Sequence, residues 1–177
     1  KKANVLDTLG LEPHEYFLVT SHRQENVDNL KNLRNIIAGL EAIHREYSLP
    51  VIFPMHPRTR KMVEQFGISL DGISVMNPIG FLEFLQLESN ARLVLTDSGG
   101  VQEETCILGV PCVTLRANTE RPETIEVGGN VLAGTGAEEI LASVRWMLSR
   151  SGTWENPYGD GMAGRMIVMI CGGLSGR

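Results

Sequence analysis

No stretch of the chain approaches the about 18 consecutive apolar residues that a membrane-crossing helix needs, and its first residues, Lys1-Lys2-Ala3-Asn4, hold no apolar signal core. A soluble, cytoplasmic protein is expected. Excess positive charge is also missing: 16 Lys and Arg against 21 Asp and Glu leave a formal net charge of −5. Nucleic acid and anionic membrane surfaces would be repelled overall, so neither is expected as a partner, and any phosphate must be held by local groups. Cysteine is scarce and unpatterned. Cys106, Cys112 and Cys171 are odd in number and lack metal spacing, and the first two lie in apolar runs, so free thiols are expected. Neither His22 nor His56 has a Cys or carboxylate at ligand spacing, so no metal is expected. Two nucleotide motifs are absent as well. No Walker lysine follows the glycines and no Gly-x-Gly-x-x-Gly opens the first helix, so neither an ATPase nor a nicotinamide enzyme is supported. Beyond a strand-helix unit there is no internal repeat and no low-complexity segment.

What is present is a regular alternation. At 177 residues and 42% hydrophobic, the chain is large enough for one full core. A short helix over Ala3 to Leu9 precedes the strand Tyr16 to Thr20, the polar turn Ser21 to Asn26 and a helix from Val27 to Tyr47, with Leu30, Leu33, Ile36, Ile37, Leu40 and Ile43 at helical spacing. The pattern continues with the strand Pro50 to Phe53, the turn Met55 to Arg58 and a helix from Thr59 to Phe66 closed by Gly67. The strand Ile73 to Met76, the turn Asn77 to Gly80 and a helix from Phe81 to Ser89 follow. After a strand at Arg92 to Leu95 and a helix ending at Leu108-Gly109 come the strand Pro111 to Leu115, the loop Arg116 to Arg121 and a short helix with Pro122 in its first turn. The strand Asn130 to Leu132 and a helix over Ala137 to Leu148 complete the alternation. It predicts a doubly wound, Rossmann-like α/β domain with a mostly parallel sheet of about six strands and helices on both faces. Polar turns follow the carboxyl ends of five strands, the edge where ligands bind in such sheets.

The chain is arranged around Leu95-Thr96-Asp97-Ser98-Gly99-Gly100-Val101-Gln102-Glu103-Glu104, where an apolar strand meets a small polar turn and restarts as helix. A helix start carries about half a positive charge and unpaired N–H groups, which suits an anion. Ser98 adds a hydroxyl, and Glu104, early in the helix, can face a sugar diol. A plain strand-to-helix turn capped by Ser98 is the alternative. His22 sits beside Arg23 and Glu25, where it either carries a proton or caps the next helix. His56, followed by Arg58 and Arg60, suits an anion contact or an exposed turn. Arg116 and Arg121 either clamp phosphate or pair with Glu120 and Glu123. His14 and His44 are expected at the surface.

With these turns located, the chain resembles the C-terminal domain of the non-hydrolysing UDP-N-acetylglucosamine 2-epimerases, of the glycosyltransferase-B structural class. The resemblance rests on Ser21 to Asn26, Met55-His56-Pro57, Thr96 to Glu104, Gly109-Val110-Pro111, Thr119-Glu120-Arg121-Pro122-Glu123 and Asn156-Pro157-Tyr158-Gly159-Asp160-Gly161, in the family's order. It implies an enzyme that interconverts UDP-N-acetylglucosamine and UDP-N-acetylmannosamine by expelling and re-adding UDP, without metal or nicotinamide. It also implies that Ser98, Gly99 and Gly100 hold the diphosphate and that Glu104 accepts from the ribose. Pro78 and Phe81 would border the uracil, with Arg23, Asn26 and Arg121 around the ligand and His22 catalytic beside the departing phosphate. Arg23 and His56 match positions that bind a second, activating substrate in some bacterial members, although Gln24 departs from the Arg-Arg pair found there. A chain that starts without Met, inside a helix, is expected to be part of a longer protein. Residues 1–155 would be the UDP-binding domain and 156–177 a connector and helical tail. An N-terminal domain carrying the acids that act on the sugar would complete the cleft, in a homodimer when full length. The alternatives are a sugar transferase of the same architecture and a non-catalytic UDP-sugar-binding module.

Overall fold

The computed structural model describes residues 5–150 and 152–174. After α1 (Val5–Leu9) the chain forms β1 (Phe17–Thr20), a one-turn helix α2 (Gln24–Val27), the long α3 (Leu30–Tyr47), β2 (Val51–Pro54), α4 (Pro57–Phe66), β3 (Ile73–Met76) and α5 (Phe81–Asn90). It continues with β4 (Leu93–Thr96), α6 (Gly99–Leu108), β5 (Cys112–Thr114), α7 (Pro122–Glu126), β6 (Asn130–Leu132), α8 (Ala137–Leu148) and α9 (Ala163–Leu174). Residues Ala3 and Asn4 of the predicted first helix lie outside the described residues.

Every strand pairs in parallel, in the order β3-β2-β1-β4-β5-β6. The chain winds outward from β1 to β3, then returns to place β4 on the other side of β1 and winds outward again. The turns after β1 and β4 therefore leave the sheet in opposite directions and open a crevice between them. The register sets its floor: Thr20 pairs with Thr96, so the two strands end level.

Strands covered on both faces need apolar side chains on both, and alternation divides them. Phe17 and Val19 of β1 pack with Val51, Phe53, Leu93, Leu95 and Val113 under α3 and α8. Leu18, Ile52 and Val94 face the other way, with Leu87, Ala91, Val101 and Val110, under α1, α5 and α6. Gly39 lets α3 approach α8, since a Cβ there would stand 3.2 Å from the Ile140 side chain.

Two helices start differently from the sequence reading. The helix expected from Val27 is two, because Asn29 breaks the backbone and caps α3 by accepting from the N–H groups of Lys31 and Asn32 (3.0 and 3.2 Å). Leu30, assigned above to the apolar stripe, consequently lies exposed at the start of α3. The helix after β2 begins at Pro57, earlier than Thr59, because proline's fixed φ suits a first helical position. Gly67 closes it, as expected. His14 is exposed, whereas His44 is half-buried, its ring 2.9 Å from the Leu49 carbonyl oxygen. Cys106 and Cys112 are buried free thiols, and burial pushes Cys112 up to about 12.

Past α8, the Trp154 indole packs on Gly129 and donates to the Cys106 carbonyl (2.9 Å). Beyond it α9 presents Met166, Ile167, Val168, Met169 and Ile170 to solvent. Among the described residues no helix is long and apolar enough to cross a membrane, and no His, Cys, Asp and Glu side chains group as a metal site.

Candidate functional site

Because β1 and β4 end level, Asp97 stands directly beside Ser21. Its carboxylate is fully buried and collects donors from the turn after β1: Ser21 Oγ (2.8 Å), the backbone N–H of His22 (3.1 Å) and Arg23 (3.0 Å), and Asn26 Nδ2 (3.0 Å). His22 Nδ1 lies 3.5 Å from Asp97 Oδ1. One carboxylate thus fixes both the backbone and the ring of the His22 turn. The Thr59 hydroxyl braces the same turn from α4, donating to the Ser21 carbonyl (2.6 Å). Sequence reading missed Asp97 as a separate actor. Its only local signal is a carboxylate immediately after an apolar strand, where water would otherwise be excluded from it.

His22 points into a hollow of about 290 Å³ lined by Thr20, His22, Pro54, His56, Pro78, Ile79 and Phe84. The His22 and His56 rings lie 5.9 Å apart. His56 Nδ1 accepts from the Arg58 N–H (3.1 Å) as the cap of α4, which leaves Nε2 as its second polar atom. Pro78 borders the hollow. Phe81 does not: it is 63% exposed, and Phe84, three residues on along α5, lines the wall instead. The helical period would have indicated that choice had the phase of α5 been known.

On the far side of the crevice, α6 begins at Gly99. The Ser98 N–H is taken by Thr96 Oγ1 (2.9 Å), and the Ser98 hydroxyl makes no capping bond, contrary to the capping alternative. The N–H groups of Gly99, Gly100 and Val101 have no partner inside the helix, as at any helix start. Glu104, one turn further on, is half-buried and faces Glu88 of α5; burial raises its carboxyl above the usual range. Gln102 turns inward, accepting from Thr119 Oγ1 and from Asn130 Nδ2 (3.3 Å), and so ties α6 to the 116–121 loop.

The arginines divide. Arg116 is buried between Glu120 (2.9 and 3.1 Å) and Glu25 (2.8 Å), and it holds the Glu120 carboxyl down at about 2. Glu25 is therefore engaged with Arg116, and the carboxylate beside His22 is Asp97. Arg121 pairs with Glu103, not with Glu123, and its guanidinium lies over Gly99: a Cβ there would be 3.8 Å from Cζ. Arg23 Nε donates to the Asp97 carbonyl (3.3 Å). Asn26 is buried below the turn, both its N–H groups committed, to Asp97 and to the Leu115 carbonyl (3.0 Å).

A doubly wound parallel domain whose switch point gathers a braced histidine turn and an open helix start is a Rossmann-like half of the glycosyltransferase-B architecture. The chain belongs to the UDP-N-acetylglucosamine 2-epimerase family, whose sequence model matches residues 1–172. It is 52% identical over 161 residues to the UDP-N-acetylglucosamine 2-epimerase of Methanocaldococcus jannaschii, a match covering 88% of this chain and 44% of that protein. It is 40% identical to the UDP-2,3-diacetamido-2,3-dideoxy-D-glucuronate 2-epimerase of Pseudomonas aeruginosa, over 90% of this chain and 45% of that protein. The crystal structure of the M. jannaschii enzyme in complex with UDP-GlcNAc and UDP superposes with a TM-score of 0.87 at 48% identity, over 97% of this chain and 49% of that one. The chain thus spans about half the length of the curated relatives it matches.

Proposed function

We propose that this chain is the UDP-binding half of an enzyme that interconverts UDP-N-acetylglucosamine and UDP-N-acetylmannosamine. In the reaction the bond between C1 and the phosphate oxygen breaks, its electron pair leaves with UDP, the C2 proton passes to a base, and a C1–C2 double bond remains. UDP then adds back to C1 as a proton returns to the opposite face of C2. The observation that carries this reading is that the His22 turn and the start of α6 flank one crevice. Gly99 and Gly100 support it further. A Cβ at either would meet nothing closer than 3.8 Å, so the fold has room for a side chain at both, and an anion approaching the N–H groups has use for the vacant space.

On this reading Ser98, Gly99, Gly100 and Arg121 hold the diphosphate, Arg121 exchanging Glu103 for phosphate. Glu104 accepts from the ribose and Pro78 borders the uracil. His22 carries the proton or charge that eases departure of UDP, with Asp97 behind the ring to orient it. The acids that act on C2 belong to an N-terminal domain, for which the apolar face of α9 is a docking surface. The sugar is read largely by that other half, so the diacetamido-glucuronate nucleotide of the P. aeruginosa relative is the second substrate to try.

The test joins this chain to such an N-terminal half and supplies UDP-N-acetylglucosamine with no acceptor. Epimerised product is expected; its absence overturns the reading, and sugar transfer on adding an acceptor would indicate a transferase. The 177-residue chain alone should bind UDP without turnover. In the joined protein His22→Asn should cut turnover by about a hundredfold or more and leave UDP affinity nearly intact.

A further inference from the structure

Among the described residues two acidic side chains, Asp97 and Glu88, are wholly buried, and they are opposites. Asp97 collects donors from the turn after β1, whereas neither oxygen of Glu88 has a hydrogen-bond donor. The polar group facing Glu88 is a second carboxyl, that of Glu104 on α6, which packs against α5. Two carboxylates at contact repel, but one proton between them turns the contact into a hydrogen bond. Glu88 has no access to water and Glu104 has some, so the charge is cheaper on Glu104 and the proton belongs on Glu88.

We propose that Glu88 is a positioning residue which stays protonated at neutral pH and donates to Glu104, holding that carboxylate in place for the two ribose hydroxyls of a bound nucleotide. The proposal rests on the nucleotide reading of α6. With one Glu104 oxygen anchored by Glu88 and the other left for the ribose, less side-chain freedom remains to be lost when ligand arrives. Glu103, also on α6, adds negative charge near Glu104, and from the sheet the Cys112 thiol, itself held neutral by burial, lies within electrostatic reach of Glu88. From α1, on the other side of α5, the only acid is Asp7, which is exposed, and the Tyr16 hydroxyl below is engaged with the Leu87 carbonyl (2.6 Å). Among the described residues no cation offsets the pair at Glu88. Burial first, and the Glu104 charge second, push Glu88 up to about 8. Above that pH both carboxyls are charged, Glu104 is driven out of position, and ribose recognition weakens.

The experiment has two arms, both on the 177-residue chain. Carbon-13 NMR of glutamate side chains should show one carboxyl titrating near pH 8, lost in Glu88→Gln; a Glu88 carboxyl titrating in the ordinary range overturns the proposal, whatever the ligand. Calorimetry should show UDP affinity falling as pH rises through about 8 while inorganic pyrophosphate affinity does not. Glu88→Gln, whose amide still donates, should keep neutral-pH UDP affinity and lose the alkaline fall, whereas Glu88→Leu should weaken UDP by about tenfold, the worth of one hydrogen bond to a charged acceptor, and spare pyrophosphate. Equal UDP affinity in both variants and the parent at all pH values overturns the positioning role. If Glu104→Ala leaves UDP affinity unchanged while the NMR titration stands, the ribose reading of Glu104 fails and the shared proton does not.

Discussion

Asp97 shows how much of the site depends on one side chain. Its charge is unexposed, yet it is held by two backbone N–H groups, a hydroxyl and an amide, all from the turn that carries His22. Asp97→Asn keeps the shape but removes the charge and turns one acceptor into a donor facing donors. A loss of about 3 kcal/mol or more in urea unfolding is expected, against about 1 kcal/mol for Ser21→Ala, which removes a single neutral partner. Equal costs for the two would mean that the charge is not what organises the turn. The apolar strand before Asp97 marks a carboxylate at a strand end but not its partners, which lie more than 70 residues away in sequence. His22 and Ser98, by contrast, stand at strand ends beside recognisable turn residues and were legible as candidates. Which carboxylate serves His22 was not, since adjacency in sequence favoured Glu25 and the fold sends Glu25 to Arg116.

Among the elements, helix ends separate backbone strain from crowding. Gly109 closes α6 at φ 73° with open space around it, so Gly109→Ala should cost only the left-handed backbone penalty, about 1 kcal/mol. Gly72, before β3, has φ 77°, but a Cβ there would collide with the His44 ring. Gly72→Ala should therefore cost clearly more in the same unfolding assay; a smaller cost would mean that the ring moves aside freely. The elements themselves were legible because parallel strands, buried on both faces, appear as short apolar runs, and the helices between them keep a 3.6-residue period. Two features escaped for local reasons. The break at Asn29 interrupts a continuous apolar stripe without a proline or glycine to mark it, and the phase of α5, which selects Phe84 over Phe81 for the crevice, depends on how the helix rolls against its neighbours. The strand order is set by pairings between distant segments, and no local pattern encodes it.

For the molecule as a whole, carboxyls with shifted values decide how stability follows pH. Glu88 has a folded value above its unfolded one, so its contribution is complete below the unfolded carboxyl value of about 4.3 and is lost as pH rises toward about 8. Glu120 runs the other way: its bond to Arg116 is retained above the unfolded value and lost as pH falls toward about 2, and at an exposed pair the effect is small. Stability should therefore decline from pH 5 to pH 8 by up to about 1.4 kcal/mol per unit, the slope for one proton, and Glu88→Leu should flatten it. A wild-type profile already flat over that range would be inconsistent with a neutral Glu88. The level ends of β1 and β4 also constrain anyone building chimaeras from this domain. Grafting a relative's histidine turn without its counterpart 75 positions downstream would leave amide hydrogens aimed at a misplaced acceptor, so the two segments must be exchanged together, as a single cassette that the linear chain happens to store in two places.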